Sequence, residues 1–232
     1  MSDQPMTACL VETRLFDDPH PRRVFDVERM AYLVATYESA RFFAENMPAA
    51  ENLFSHSALL EFALSKRSLP GLTLEFGVAT GSTLRIICHR TNGAVYGFDS
   101  FEGLPEDWTH FQKAGRFNMN GTPPEELPPN AELVVGWFAD TLPGYVRSHQ
   151  GNVSFVHMDC DLYSSTKTVL ESLRQRIVPG TVIVFDEYFN YPGWQRFEHR
   201  AFSEFLLDTN LTARYIGFAS AGQAVAVQIM DS

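Results

Sequence analysis

The stretch LEFGVATGST, Leu74 to Thr83, carries an apolar run into a glycine-bearing turn and out again into a helix-forming segment. The run Leu72 to Gly77 reads as a buried strand and Thr83 to His89 as a helix. A strand feeding a helix through a short turn is the start of a βα unit. Gly77 and Gly81 let backbone approach a ligand closely there, and the first turn of the helix offers unpaired N–H groups. The spacing is G-x-x-x-G, so the glycine pair that suits a dinucleotide pyrophosphate is missing.

Downstream, short apolar runs recur: Ala94 to Phe98, Ala131 to Val135, Val153 to Met158, Thr181 to Phe185, Thr212 to Gly217 and Ala224 to Ile229. With Leu72 to Gly77 they make seven strands. The first five are separated by helix-like or long connections, as in a parallel sheet. The last two are joined only by Phe218 to Gln223, short enough for a hairpin, so one strand should run antiparallel. Upstream, residues 1–23 read as an irregular arm. A helical period starts at Asp26 and stops at Pro48, and a second helix is expected over Glu51 to Lys66. These segments, residues 1–70, form an N-terminal arm and helical appendage to a domain over 71–232. The long segment Phe101 to Pro129, rich in Pro and Gly and bearing Trp108, Phe111 and Phe117, reads as a lid, with disorder as the alternative.

Eighteen basic residues against 28 acidic give a formal charge of −10, and no Lys/Arg-rich run occurs, which argues against a nucleic-acid partner. Three scattered cysteines, Cys9, Cys88 and Cys160, suggest neither a disulfide framework nor a zinc knuckle. The start lacks a signal-peptide pattern and no apolar run reaches membrane-spanning length. A cytoplasmic protein without a membrane partner is expected.

Chemistry-bearing residues cluster where strands run out. Asp99 follows the second strand, 22 positions past Gly77, where an acid reaches ribose hydroxyls in nucleoside-binding folds; starting the loop with Ser100 is the blander reading. VHMDCDLYSST, Val156 to Thr166, ends a strand in Asp159, and TVIVF, Thr181 to Phe185, ends in Asp186 and Glu187. Between them a helix of about 12 residues rises roughly 18 Å and a strand of about five returns roughly 17 Å. If the strands are neighbours, Asp159, Asp186 and Glu187 meet at the carboxyl edge of the sheet. Clustered carboxylates repel unless a cation or a shared proton intervenes, and oxygen ligands select a hard divalent ion such as Mg²⁺. His157 is a candidate support for Asp159, though a hydrogen-bonded core histidine fits as well; Cys160 reads as a small buried hydrophobe. The aromatic loop after Glu187 should wall an acceptor pocket, with His199 the candidate general base or a bystander on the polar face of an amphipathic helix.

The blocks EFGVATGS (from Glu75), YGFDSFEGLP (from Tyr96), GWFADTLP (from Gly136), MDCDLYSST (from Met158) and GTVIVFDEY (from Gly180) together resemble the macrocin O-methyltransferase family, S-adenosylmethionine-dependent enzymes acting on sugar hydroxyls. The resemblance implies a Rossmann-like class I methyltransferase fold, a seven-stranded, mostly parallel sheet with one antiparallel strand. It implies that Glu75, Gly77, Thr80, Gly81 and Ser82 hold the methionine part of S-adenosylmethionine, Asp99 with Ser100 the ribose, and Trp137 or Phe138 the adenine. Asp140 either contacts the adenine edge or caps a turn. It implies a divalent metal on Asp159, Asp186 and Glu187 beside the transferred methyl, with Asp159 catalytic, a small-molecule hydroxyl as acceptor, and a homo-oligomer paired through the N-terminal helices. The family usually has Asp-Gly-Asp and Asp-Asp where this sequence has Asp159-Cys160-Asp161 and Asp186-Glu187. A nicotinamide oxidoreductase and a non-catalytic relative remain the alternatives.

Overall fold

The computed structural model describes residues 26–109 and 112–231; the expected N-terminal arm and Phe111 lie outside them. The elements run α1 (Val27–Asn46), β1 (Glu51–Leu53), α2 (His56–Ser65), β2 (Leu72–Phe76), α3 (Ser82–His89), β3 (Val95–Asp99), β4 (Ala131–Val135), α4 (Phe138–Ser148), β5 (Val153–Met158), α5 (Tyr163–Ser172), β6 (Val182–Phe185), α6 (Glu198–Thr209), β7 (Thr212–Ala219) and β8 (Val225–Met230). They form one mixed sheet of order β1-β7-β8-β6-β5-β2-β3-β4. All seven expected strands are present, and β8 runs antiparallel to both β6 and β7.

The strand count is corrected to eight. The expected helix over Glu51 to Lys66 is split: Glu51–Leu53 extends and pairs in parallel with Gly217 to Ala219 of β7, and the helix begins only after Ser55. The Ser55 hydroxyl accepts from the Ala58 N–H, a capping bond that fixes where the helix starts. Asp26 does the same for α1, accepting from Glu28 and Arg29.

The sheet is covered on both faces, so its central strands are apolar throughout rather than alternating. Alternate residues still face opposite layers: Ile183 and Phe185 pack toward α4, α5 and α6, whereas Val182 and Val184 pack toward α2 and α3. Burying side chains such as Leu59, Leu84, Phe155 and Phe202 contributes about 1.5–3 kcal/mol each.

The order of connection matters for the site. From β2 the chain winds outward to β3 and β4, then returns across β2 to β5 and β6, so the winding direction reverses beside β2. Crevices at such reversals, beyond the carboxyl ends of the strands, are where open α/β sheets hold ligands.

Candidate active site

A cavity of about 470 Å³ opens at that reversal, lined by the ends of β2, β3, β5 and β6 and by the segment following β3. Its size falls in the roughly 300–1,000 Å³ range of small-molecule sites. Gly77, Ala79, Asp99, Ser100, Trp137 and Phe138 face it from one side, and Asp159, Asp161, Asp186 and Glu187 from another.

Gly77 holds φ +92, and a Cβ there would lie 1.9 Å from the Asp159 carbonyl oxygen, so only glycine lets β2 and β5 turn away side by side. The Asp99 carboxylate fastens the turn that follows: Oδ2 accepts from the N–H groups of Val78 (2.9 Å) and Ala79 (2.8 Å), and Oδ1 from Phe101 (2.7 Å). A carboxylate has about four acceptor positions, so roughly one is left toward the cavity. Trp137 and Phe138 start α4 on the cavity wall, and Phe138 meets Phe76 edge-on at 5.4 Å.

Several expected cofactor residues are placed differently. Thr80, Gly81 and Ser82 form the turn and the start of α3 without lining the cavity; a Cβ on Gly81 would meet Leu127 at 2.8 Å, so Gly81 is needed for close packing of the covering loop. Asp140 sits in the first turn of α4, exposed and off the cavity, where an acid interacts favourably with the helix N-terminus. Glu75 does not line the cavity; it is fully buried and pairs with His157 Nδ1 at 2.9 Å.

The two acid-ended strands are neighbours, with Met158 opposite Phe185 and the Asp186 N–H bonded to the Met158 carbonyl. Asp159, Asp161 and Glu187 each bring an oxygen within 4.8 Å of the others. Asp161, which the sequence reading did not include, completes this set from a left-handed backbone conformation, φ 61. Asp186 lines the same cavity, and its Oδ1 also lies 3.1 Å from Nδ1 of His56 at the start of α2.

Burial, and then repulsion from Asp186, pushes Asp161 up to about 7. Burial also raises Asp159 and Glu187 well above the usual carboxylate range, with Asp186 the largest charged contributor to both. Glu187 Oε2 is buried with no hydrogen-bond partner among the described residues. A cluster of oxygen donors with one orphaned atom fits a hard divalent cation.

Glu198, at the start of α6, was not singled out in the sequence. Its fully buried carboxyl accepts from the Cys160 N–H (3.4 Å) and the Glu187 N–H (3.2 Å), joining the loops after β5 and β6. The candidate base His199 is corrected: it does not line the cavity but packs against Phe42, Tyr188 and Trp194, at ring distances of 5.2, 5.1 and 4.8 Å. One helical step, about 100° of rotation, separates it from Glu198 and turns it toward α1.

Within the expected lid, Gly103, Leu104, Pro105 and Phe117 line the cavity, the Ser164 hydroxyl donates to Glu106, and Trp108 packs on Tyr191 at 5.7 Å. No helix among the described residues is long and apolar enough to cross a membrane.

Residues 74–188 match the methyltransferase-domain family Methyltransf_24. A curated relative from Streptomyces olivaceus, 8-demethyl-8-(2,3-dimethoxy-alpha-L-rhamnosyl)-tetracenomycin-C 4'-O-methyltransferase, is 32% identical over 143 residues. That alignment covers 52% of this chain and 54% of the relative, so the match spans about half of each. Among solved structures, the calicheamicin methyltransferase CalS11 superposes with a TM-score of 0.56 at 21% identity over 98% of this chain and 94% of its own. The O-methyltransferase NovP gives 0.57 at 22% over 75% and 78%. These likenesses establish a Rossmann-like class I methyltransferase fold. The glycine turn, Asp99 and both acid-ended strands all lie within the span that matches the methyltransferase-domain model.

Proposed function

We propose that the chain is an S-adenosylmethionine-dependent, divalent-metal-assisted O-methyltransferase acting on a hydroxyl of a sugar or sugar-bearing natural product. The observation that carries this reading is the sharing of one cavity by a nucleoside-type wall and a carboxylate cluster. The activity of a relative supports it: the Streptomyces olivaceus protein is named for 4'-O-methylation of a rhamnosyl compound.

S-adenosylmethionine would supply an electrophilic sulfonium methyl, and a divalent ion would supply a positive charge that lowers a hydroxyl's pKa. Gly77, Asp99, Ser100, Trp137 and Phe138 would hold the adenosine part. Asp159, Asp161 and Glu187 would hold the ion, with Asp186 beside them. In the cluster alone, Asp159 favours its neutral form because burial and Asp186 oppose its charge. With a cation bound, Asp159 would be held as the carboxylate, the form that could accept the acceptor hydroxyl's proton. Holding that hydroxyl against the carboxylate replaces a chance encounter by a fixed approach, the orientation effect that methyl transfer requires. Phe117 and the Gly103 to Pro105 turn shield the cavity and limit water.

The test is a panel of sugars, glycosylated natural products, phenols and simple alcohols, assayed for methyl transfer with added Mg²⁺ and with strong chelator. Turnover is expected on a sugar hydroxyl and should be lost with chelator. Asp159→Asn is expected to lower kcat about 10²–10⁴-fold, the usual weight of a general base, while S-adenosylhomocysteine still binds in calorimetry. Binding of NADH in place of S-adenosylhomocysteine would instead identify an oxidoreductase.

A further inference from the structure

Beside the carboxylate cluster runs a row of four side chains, three of which the methyl-transfer reading leaves without a role. Glu75 and His157 stand opposite each other on β2 and β5, fully buried, with Glu75 Oε1 2.9 Å from His157 Nδ1. The other nitrogen of that ring, Nε2, meets His56 Nε2 at 3.1 Å, and His56 Nδ1 lies 3.1 Å from Asp186 Oδ1. Three contacts thus carry the row from the middle of the sheet, through the first residue of α2, to the end of β6 and the cavity wall.

Counting hydrogens gives the row a direction. Each contact needs one hydrogen, and between the two Nε2 atoms there is room for only one, so one ring donates there and the other accepts. If His157 donates, His56 carries its own hydrogen on Nδ1 and offers it to the Asp186 carboxylate, and the remaining hydrogen lies between Glu75 and His157. The reverse order would leave the negative charge on Glu75 instead. Solvation chooses between the two. Glu75 is sealed in the sheet, its Oε2 lacking a hydrogen-bond partner among the described residues, whereas Asp186 opens on the cavity. A charge is far less costly at the wetter end. All three hydrogens therefore point from Glu75 toward Asp186.

We propose that Glu75, His157 and His56 are positioning residues that hold the Asp186 carboxylate at the cation-binding wall of the cavity, with His56 the one in direct contact. This role rests on the divalent-metal part of the methyltransferase reading. His56 occupies Oδ1, leaving Oδ2 for the cavity that Asp186 shares with Asp159, Asp161 and Glu187. A carboxylate fixed there adds negative charge beside a bound cation; one left free to rotate adds less. Side chains that hold such a carboxylate from behind carry about 10–100-fold of metal affinity.

The test uses the full chain and needs no acceptor. In wild type stripped by chelator, nitrogen NMR should find the ring hydrogen on Nδ1 of His56 and a hydrogen on Nε2 of His157; a hydrogen on Nε2 of His56 would reverse the row and overturn the proposal. Mn²⁺ titration followed by electron paramagnetic resonance should show His56→Phe binding about 10–100-fold more weakly than wild type. His56→Gln, whose amide can accept from His157 and donate to Asp186, should recover most of that loss. S-adenosylhomocysteine should bind equally to all three. A row that serves stability alone would leave the Mn²⁺ affinity of His56→Phe at the wild-type value, which would also overturn the proposal. A wild type that binds S-adenosylhomocysteine but no Mn²⁺ would instead remove the metal reading itself, and the positioning role with it. The wild-type ring hydrogens decide the direction of the row even if a variant fails to fold.

Discussion

At the scale of single residues, the site depends on a few positions where backbone and charge are tightly constrained. Gly77 is one, because its Cβ would collide with backbone rather than with a movable side chain. Gly77→Ala should therefore cost about 3 kcal/mol from the positive φ and the displacement of β5 together, read as a shift in the urea midpoint. A loss below about 0.5 kcal/mol, the usual limit for neutral changes, would show that the two strand ends are not locked as described. Residue chemistry was only partly legible in the sequence. Asp99, Asp159, Asp186 and Glu187 stood out because each ends an apolar run. His56 did not, since a polar residue opening a helix looks ordinary until a strand more than a hundred positions away brings His157 to it. Asp161 was visible beside Asp159, but its outward-turning backbone was not.

Elements carry the next layer of the account. The central strands were legible because burial on both faces demands continuous apolar runs. Three-residue β1 was not, since Glu51 and Asn52 are exposed and the strand it pairs with, β7, is far along the chain. Helix α6 shows the limit of a periodicity argument. An amphipathic helix is what the sequence suggests, and Ala201, Phe202 and Phe205 do face inward, yet the same face buries Glu198, and His199 contacts α1. Glu198 ties α6 to the loops after β5 and β6, so Glu198→Ala should leave two buried N–H groups unpaired. That costs about 1–3 kcal/mol for each group left without a partner, and divalent-ion affinity should fall with it. The control is Arg200→Ala, on the exposed side of the same helix, where the loss of the Glu204 pair should cost little. Equal effects of the two substitutions on metal binding would remove Glu198 from the site.

Across the whole molecule, acid and base sensitivity oppose each other. Burial holds His199 at about 4, against 6.5 for the free side chain. Between those values the unfolded chain binds more protons than the folded one, so stability is full above about 6.5 and declines as the pH falls toward 4. His56 contributes in the same direction. Asp161, raised to about 7, acts oppositely: the folded state holds the extra proton between 3.8 and 7, so its share of stability is lost as pH rises through that window unless a cation compensates. His199→Phe keeps an aromatic ring beside Phe42, Tyr188 and Trp194 and should flatten the acid-side loss of melting temperature between pH 6.5 and 4; an unchanged slope would mean that His199 is solvated. The overall architecture was legible from the alternation of strands and helices, and its winding reversal beside β2 brings Gly77, Asp99, Asp159 and Glu187 to one crevice. The most direct measurement is a crystal structure of the chain with S-adenosylhomocysteine and Mn²⁺, using anomalous scattering to find the metal. Adenosine between Asp99 and Trp137, with a manganese peak touching Asp159 and Glu187 near the cofactor sulfur, is the predicted result; a cavity that excludes the nucleoside, or holds it with no metal among those carboxylates, would contradict the account.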